Sequence, residues 1–378
     1  MQILLNASNL HTGGGVQVAA SVLAELLSKD SPPAELTIWA STEVHRSLQT
    51  YGIETDRLQC YEVVDSRGLQ LLWSPLAKRV RRFDGVLTLF GPLYVLPAPR
   101  ISLVGFAQPW IIYPDNECYA DMPMLTRLKT RLKFWVQGLF FKQATTLFVE
   151  LDHVAQGLIK RGLAAPESIH VVRNCLSGIY ANPSLWKDVP IPDSAHAHLK
   201  LGFVGRNYPH KNTRIFPQII EHLRRDHGVD ARFYVTFNEQ EWAACSEGFR
   251  ACTVNVGPLS VAQCPMFYRA MDAVVFPSLL ECFSATPLEA MAMERPLFAS
   301  DRPFNRDVCG EHAHYFDPID PASAAAAIAR YVRWGGDKQA SLRVARDHAI
   351  TFSDPASRAK QYIECLMGMA LQPPSQSA

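Results

Sequence analysis

Short apolar runs alternate along this chain with longer stretches in which apolar residues recur every three to four positions. The runs 3–5, 101–105 and 273–276 have the length and composition of buried strands. One helical face is marked by the apolar positions Val16, Ala19, Ala20, Leu23 and Leu27. Strands that alternate with helices are typical of parallel sheets, so the pattern predicts an α/β fold.

The same pattern continues to the end of the chain. Further strands are predicted at 36–39, 85–89, 146–149, 200–204, 231–236, 253–256, 296–299 and 314–316. Further helices are predicted at 125–143, 153–160, 214–225, 261–270, 287–294, 322–334, 338–348 and 355–369. The alternation therefore runs twice, before and after an interruption near residue 190.

The interruption at 176–197 predicts a domain boundary. This stretch is rich in turn residues and has no sustained period, which is typical of a linker. We therefore predict two βαβ domains of similar size, residues 1–176 and residues 198–352. A C-terminal helix and a polar, frayed tail, residues 353–378, are expected to pack back toward the N-terminal domain.

The composition narrows the class of protein. A chain of 378 residues with 48% hydrophobic residues is long enough for two cores and too apolar to be disordered. No apolar run reaches the roughly 20 residues of a membrane span, and the start lacks the features of a signal peptide. Nine dispersed cysteines without a Cys-x-x-Cys pair favour reduced thiols in the cytoplasm over disulfides or a zinc site. With a net charge of +1 the protein has no overall positive potential that would attract nucleic acid, so no nucleic-acid partner is expected.

The loop after the predicted strand 200–204 carries two cations. Gly205 ends the strand, and Arg206 and Lys211 follow just before a helix. Ligands of open α/β sheets bind at the carboxyl ends of the strands, and an arginine fork with a lysine charge suits a diphosphate. Considered alone, this loop leaves open the alternative of two solvated surface cations.

Two glutamates, Glu281 and Glu289, occupy the segment between the strand 273–276 and the helix that follows it. The first closes the strand-to-helix loop, and the second lies about one turn inside the helix. A helix N-terminus beside a polar loop can hold an anion, and carboxylates there suit the hydroxyl groups of a ligand with phosphate at one end and sugar at the other. The alternative is structural, because a glutamate early in a helix also complements the helix dipole.

These segments, in this order, resemble a known family. They are similar to the donor site of family-4 retaining glycosyltransferases (glycosyltransferase group 1). The segments that carry this resemblance are Gly205–Arg206, Lys211–Asn212, Phe276–Ser278, and Glu281 with Glu289 eight positions later. The resemblance covers nearly the whole chain and extends to three further segments, 13–16, 171–174 and 315–318. It implies a GT-B fold, in which two Rossmann-like domains face each other across a cleft.

The resemblance also implies a role for each residue. Arg206 and Lys211 would bind the donor diphosphate, with the loop at Gly205 and the backbone amides near Phe283 and Ser284 beside it. Glu289 would accept hydrogen bonds from ribose hydroxyls. Glu281 would hold the transferred sugar and stabilise positive charge that develops on it. Arg206, Lys211 and Glu281 would thus be the catalytic residues.

On the acceptor side, the resemblance points to the glycine loop Gly13, Gly14 and Gly15 and to Gln108. The glycines would allow close backbone approach, although a tight strand–helix turn that needs positive φ explains them as well. Many family members have a histidine where this chain has Gln108, and glutamine cannot shuttle a proton at neutral pH. His11, near the glycine loop, is a candidate substitute for it, and a packed or surface role is the alternative.

No Asp-x-Asp sequence occurs in the chain. The usual metal-dependent way to neutralise a leaving diphosphate is therefore not indicated, and the expectation is a transferase without metal or other cofactor. The donor would be a nucleotide sugar of the UDP or GDP type.

The stretch 127–142 mixes five cations with bulky apolar residues at helical spacing. A basic amphipathic helix of this kind can lie on anionic lipid, which would place the protein at the inner face of the membrane as a peripheral protein. The alternative is a core-facing helix with a solvated cationic face.

The sequence therefore predicts a cytoplasmic, retaining hexosyltransferase-type enzyme that transfers a sugar to a glycan or lipid-linked acceptor in surface polysaccharide or glycolipid biosynthesis. A catalytically silent sugar-nucleotide or polysaccharide binding protein is one alternative. Another is a nucleotide-sugar epimerase or a sugar phosphorylase with the same fold, although no lysine is convincingly placed for the pyridoxal phosphate of a phosphorylase.

Overall fold

In the computed structural model, which describes residues 2–28, 35–55, 59–120, 122–192 and 198–371, the chain forms two compact α/β units. Unit 1 comprises the described residues of Met1–Pro114, Pro123–Cys175 and Ser353–Ala378. Unit 2 comprises those of Asp115–Met122 and Leu176–Phe352. The segment 115–122 thus belongs to unit 2, and the predicted linker up to residue 192 does so as well.

Unit 1 contains a seven-stranded parallel sheet in the order β3-β2-β1-β4-β5-β6-β7. Its strands are β1 (Ile3–Ala7), β2 (Leu36–Ala40), β3 (Tyr61–Val63), β4 (Gly85–Thr88), β5 (Ile101–Gly105), β6 (Thr146–Val149) and β7 (Ile169–Val171). The inner strands β1, β4, β5 and β6 are buried along their whole length, as expected for a parallel sheet covered on both faces.

Unit 2 contains a six-stranded parallel sheet in the order β10-β9-β8-β11-β12-β13. Its strands are β8 (Leu199–Phe203), β9 (Ala231–Val235), β10 (Thr253–Asn255), β11 (Ala273–Phe276), β12 (Leu297–Ser300) and β13 (His314–Phe316). The order reverses beside β8, and the carboxyl ends of β8 and β11 therefore form the crevice where doubly wound sheets bind ligands.

Helices connect the strands in both units. Those of unit 1 are α1 (Gly14–Leu27), α2 (Thr42–Gln49), α3 (Pro75–Val80), α4 (Pro109–Ile112), α5 (Met124–Phe141), α6 (Asp152–Lys160) and, after unit 2, α15 (Pro355–Leu371). Those of unit 2 are α7 (Phe216–His227), α8 (Glu239–Ala243), α9 (Glu247–Cys252), α10 (Cys264–Ala270), α11 (Thr286–Ala292), α12 (Pro303–Cys309), α13 (Pro321–Arg333) and α14 (Lys338–Thr351). Short 3₁₀ turns cover part of the predicted linker at Gly178–Ala181 and Pro183–Leu185.

The C-terminal helix α15 is part of unit 1. Tyr362 and Leu366 are buried in the core of that unit. Arg358, which is 2% exposed, donates hydrogen bonds to Asn174 Oδ1 and to Ser21 Oγ. Asn174 Nδ2 in turn donates to Glu150 Oε1 at 2.6 Å. This buried polar cluster joins α15 to α1 and to the end of β6. The tail that the sequence predicted to be frayed begins at Leu371, which is the last residue of α15, and its residues from 372 onward lie outside the described residues.

Candidate functional site

Three loops at the carboxyl edge of the sheet in unit 2 are tied to one another. The Leu279 amide, after β11, donates to the His210 carbonyl, after β8, at 2.8 Å. The Asn212 side chain donates to the Pro318 carbonyl, after β13, at 2.8 Å. Ser300 Oγ donates to the Ser278 carbonyl at 2.6 Å. Because these bonds link residues distant in sequence, the loops form one fixed surface at the strand ends.

Two backbone conformations shape the first loop. Gly205 has φ 151°, and a Cβ there would lie 3.3 Å from the ring of Phe203, so the position favours glycine. Asn212 is left-handed at φ 56°, a conformation that asparagine tolerates better than most residues, and its side chain is 2% exposed. The turn between them, with Pro209–Lys211 as a 3₁₀ turn, directs Lys211 toward the loop after β11.

Lys211 and Glu281 form an ion pair. Lys211 Nζ lies 2.6 Å from Glu281 Oε1, and the two side chains are 15% and 11% exposed. The ammonium also lies 5.1 Å from the ring centroid of Phe276, the last residue of β11. The sequence predicted these residues for different parts of one ligand. The structure brings them into direct contact, so each charge is neutralised by the other.

Arg206 contacts a residue that the sequence interpretation missed. Its Nε donates to Glu241 Oε1 on α8 at 2.7 Å, while the arginine side chain remains 53% exposed. Burial would raise the pKa of Glu241, but hydrogen bonds from Arg206 and from the amides of Asn238 and Asn207 outweigh it and lower that pKa. Asn238 and Glu241 form a capping box, and the Asn-x-x-Glu pattern is a sequence signal that could have located Glu241.

Glu289 is held by a buried tyrosine. Tyr268 on α10 donates its hydroxyl to Glu289 Oε2 at 2.7 Å, and burial raises the pKa of Tyr268 well above its ordinary value, so it remains a donor. Burial likewise raises the pKa of Glu289. The ring of Tyr180 lies 6.5 Å from that of Tyr268. Tyr180 comes from the stretch predicted as a linker, and no local sequence pattern marks either tyrosine as a neighbour of Glu289.

Phe283 and Ser284 precede α11 and are both half-buried. The helix begins at Thr286 after Ala285, and no side chain caps it. Ala285 therefore supplies no side-chain cap to the first backbone N–H groups of this helix. The predicted anion-binding role of these amides stays a prediction.

The segment 115–122 adds two residues to unit 2 that the sequence interpretation did not consider. Glu117 forms an ion pair with Arg302, which follows β12 and directly precedes α12. Cys118 is buried, and burial raises the pKa of its thiol to about 11, so it is a protonated thiol at neutral pH.

The predicted acceptor-side residues lie in unit 1. Gly13 has φ 76° and directly precedes α1, whereas Gly14 and Gly15 are the first two residues of that helix. Gln108 follows β5 and precedes α4. His11 Nε2 lies 2.8 Å from the Ser66 carbonyl oxygen, and its Nδ1 lies 3.5 Å from Asp65 Oδ1. Of the three glycines, only Gly13 has positive φ and so requires glycine on conformational grounds.

The comparisons with known proteins agree with this architecture. Residues 198–333 match the family model described as glycosyl transferases group 1. No curated protein matches the chain.

Solved structures share the fold over nearly the whole chain. HepE of Anabaena, solved in complex with UDP and glucose, is 16% identical with a TM-score of 0.64, and the alignment covers 97% of this chain and 100% of HepE. A glycosyltransferase of Rickettsia africae is 13% identical with a TM-score of 0.66, covering 98% and 99%. WaaG, a glycosyltransferase involved in lipopolysaccharide biosynthesis, is 13% identical with a TM-score of 0.67, covering 97% and 100%.

The chain has the GT-B fold, as its solved neighbours do. Its segment 198–333 is similar to group 1 glycosyl transferases. This segment contains every residue described above at the strand ends of unit 2, except Tyr180 and the segment 115–122. The predicted fold class and the resemblance to this group are confirmed, whereas the family-4 subtype stays a prediction.

Proposed function

We propose that the protein is a retaining glycosyltransferase that moves a sugar from a nucleoside diphosphate sugar to a glycan or lipid-linked acceptor. The observation that carries the proposal is the Lys211–Glu281 ion pair, which places a cation and a carboxylate together at the carboxyl ends of β8 and β11. This position lies inside the segment that matches group 1 glycosyl transferases. Structures of the neighbour HepE with UDP and with UDP-glucose support a nucleotide sugar of the UDP or GDP type as the donor.

The two cations would act on the leaving group. As the bond between sugar and diphosphate breaks, negative charge accumulates on the diphosphate, and fixed cations stabilise it most at that stage. Lys211 is held in a largely buried position, and Arg206 is half-exposed with its guanidinium oriented by Glu241. Since the two side chains supply this charge, the proposed transfer requires no metal or other cofactor.

The two glutamates would hold hydroxyl groups. Glu281, 2.6 Å from Lys211, would accept hydrogen bonds from the transferred sugar and stabilise positive charge at its reacting carbon. Glu289 accepts a hydrogen bond at Oε2 from Tyr268, and the oriented carboxyl would also accept one from a ribose hydroxyl.

The acceptor and the pathway are proposed from resemblance. The neighbour WaaG is involved in lipopolysaccharide biosynthesis, which is consistent with a role in surface polysaccharide or glycolipid assembly at the cytoplasmic side of a membrane. On the acceptor side, the glycine loop and Gln108 of unit 1 are the proposed residues.

A thermal-shift screen with UDP, GDP, ADP and dTDP tests the donor part. A ligand that binds only the folded protein raises its melting temperature in proportion to the logarithm of its concentration over Kd. We expect UDP or GDP to give the largest shift. A screen in which none of the four nucleotides raises the melting temperature would contradict a nucleotide-sugar donor.

The Glu281→Ala variant separates an enzyme from a binding protein. We expect it to bind the nucleotide but to lose donor hydrolysis and transfer. The matched control is Glu294→Ala, which removes a carboxylate bonded to Gln339 and Arg346, away from the strand-end loops, and should retain transfer. A wild-type protein that binds the nucleotide sugar but neither hydrolyses nor transfers it would support the silent binding protein, and epimerised donor would support an epimerase.

A further inference from the structure

Helix α5 exposes a continuous apolar stripe. Six of its large side chains are between 43% and 88% exposed: Met124, Leu125, Leu128, Leu132, Trp135 and Leu139. At about 100° per residue, these positions fall within an arc of about 100° on one side of the helix. The stripe therefore runs the whole length of α5 on its solvent side.

The opposite side of α5 anchors it to unit 1. Phe141 is 1% exposed and lies 4.7 Å from the ring of Phe106, and Phe134 stacks on Trp110 at 5.5 Å. Through these contacts α5 packs on the core, as in the alternative interpretation of a core-facing helix with a solvated cationic face. They do not involve the stripe, so the core accounts for only part of the apolar content of this helix.

Cations border the stripe on both sides. On the helical wheel, Arg127 and Arg131 fall on one flank, and Lys129 and Lys133 fall on the other. The sequence from 122 to 149 contains no aspartate or glutamate. Lys129, Arg131 and Lys133 are exposed and Arg127 is partly buried, so the exposed face of α5 is apolar in the middle and carries positive charge on both sides.

We propose that this face lies on the surface of an anionic lipid bilayer, with the stripe among the acyl chains near the headgroups and the four cations among anionic headgroups. Long cationic side chains can reach the headgroups while their stems cover apolar surface. Trp135 suits the same interface, because its ring is apolar and its N–H is polar. None of the helices among the described residues has the length and apolar content that a transmembrane span requires.

Charge favours lipid over a second copy of this chain. Two copies joined through the stripe would bring eight cations of the two helices together without a single acidic residue of α5 between them. A bilayer that contains phosphatidylglycerol supplies both the apolar phase and the opposite charge. Binding of this face to lipid does not depend on the proposed glycosyl transfer.

Vesicle flotation of the full chain tests the proposal. The probes are vesicles of phosphatidylcholine alone and vesicles that also contain phosphatidylglycerol. We expect binding to the anionic vesicles that weakens with added salt, and at least about tenfold weaker binding to the neutral ones.

Two double variants of α5 and one matched control complete the experiment. Leu128→Ser with Trp135→Ser removes the centre of the stripe, and Lys129→Gln with Lys133→Gln removes one charged edge. Both should reduce vesicle binding at least about tenfold. The control, Val344→Ser with Ile350→Ser, changes two residues on α14 that are 56% and 48% exposed and should bind vesicles as the wild type does.

Circular dichroism and melting temperature establish that each variant folds. Equal binding of all variants, or equal binding to neutral and anionic vesicles, would overturn the proposal. A wild-type dimer that the stripe variant converts to a monomer, without any vesicle binding, would also overturn it and would assign the stripe to a second copy of the chain.

Discussion

Lys211 Nζ and Glu281 Oε1 lie 2.6 Å apart, although 70 positions separate them in the sequence. Each residue follows a different strand, and the adjacent strands β8 and β11 bring them together. Both side chains are largely buried, so loss of either partner leaves a charge with little access to water. The pair is therefore a structural element of unit 2 as well as the centre of the proposed site.

A double-mutant cycle measures this coupling. We expect Lys211→Met and Glu281→Gln each to lower the free energy of unfolding by about 1–3 kcal/mol, because each leaves the other charge unpaired. The double variant should lose less than the sum of the two single variants, since it leaves no charge unpaired. Chemical denaturation of the four proteins checks this, and strictly additive losses would show that the two groups do not interact.

The bond from Tyr268 to Glu289 predicts an effect on nucleotide affinity. Tyr268→Phe removes the hydroxyl that orients the carboxylate, and we expect about five- to tenfold weaker nucleotide binding, equivalent to about 1 kcal/mol. Calorimetric titration measures the affinity. The matched control is Tyr315→Phe, which removes a hydroxyl that donates to the Gly310 carbonyl at 2.6 Å. Equal losses in the two variants would indicate a general loss of stability and no contact of Glu289 with the ligand.

Two substitutions separate the conformational role of the glycine loop from its proposed contact with the acceptor. Gly13→Ala should lower the free energy of unfolding by about 1–3 kcal/mol, because φ 76° with ψ −162° is strained for any other residue. Gly14→Ala should leave it unchanged or raise it by about 0.5 kcal/mol, because that residue is helical and a Cβ there meets no atom within 4 Å. If the loop lies against the acceptor, Gly14→Ala should still slow transfer. Unchanged transfer in this variant would contradict a contact with the acceptor and would indicate that the glycines serve only the tight turn.

The raised pKa of the buried Glu150 carboxyl makes the stability of unit 1 depend on pH. Burial raises the pKa of this carboxyl from 4.5 to about 7, opposed by the hydrogen bond from Asn174 and the charge of Arg358. Since the folded protein binds the proton more tightly than the unfolded chain, this group contributes stability that is fully present below about pH 4.5 and is lost as the pH rises through about 7. The full loss is on the order of 3 kcal/mol.

Melting temperatures measured from about pH 5 to about pH 8 check this prediction, because this range covers most of the interval between the two pKa values. The wild type should lose more stability across this range than Glu150→Gln, which keeps an oxygen acceptor for Asn174. The control Glu167→Gln changes an exposed carboxyl of unit 1 and should follow the wild type. Parallel curves for the wild type and Glu150→Gln would contradict the raised pKa.

Much of the fold could be predicted because most of the strands are short runs of apolar residues. The predicted strands at 101–105, 146–149, 273–276 and 314–316 have the bounds seen in the structure. The two strands that the sequence analysis missed, β3 and β7, are the edges of the sheet in unit 1, have three residues each and are partly exposed. The middle residues of these two strands are Glu62 and His170, so neither strand has a continuous apolar run. The short helix α2, with only Val44 and Leu48 buried, was missed for a similar reason.

The site could be predicted residue by residue, but its internal contacts could not. Charge and position after a strand marked Lys211 and Glu281, whereas their ion pair depends on β8 and β11 being neighbours in the sheet. The partner of Glu289 lies on α10, 21 positions earlier in the sequence, and only the folded chain places the hydroxyl of Tyr268 beside the carboxylate. Such partners follow from tertiary packing, which a local pattern does not encode.

The most direct test of the proposed function is Glu281→Gln, with affinity for the preferred nucleoside diphosphate and sugar transfer both measured. The substitution removes a negative charge 2.6 Å from Lys211 and releases the ammonium to the diphosphate. We therefore predict nucleotide affinity equal to or higher than that of the wild type, with transfer lost. Retained transfer, or nucleotide affinity that falls with the loss of Glu281, would contradict the proposed assignment of Lys211 to the diphosphate and of Glu281 to the sugar.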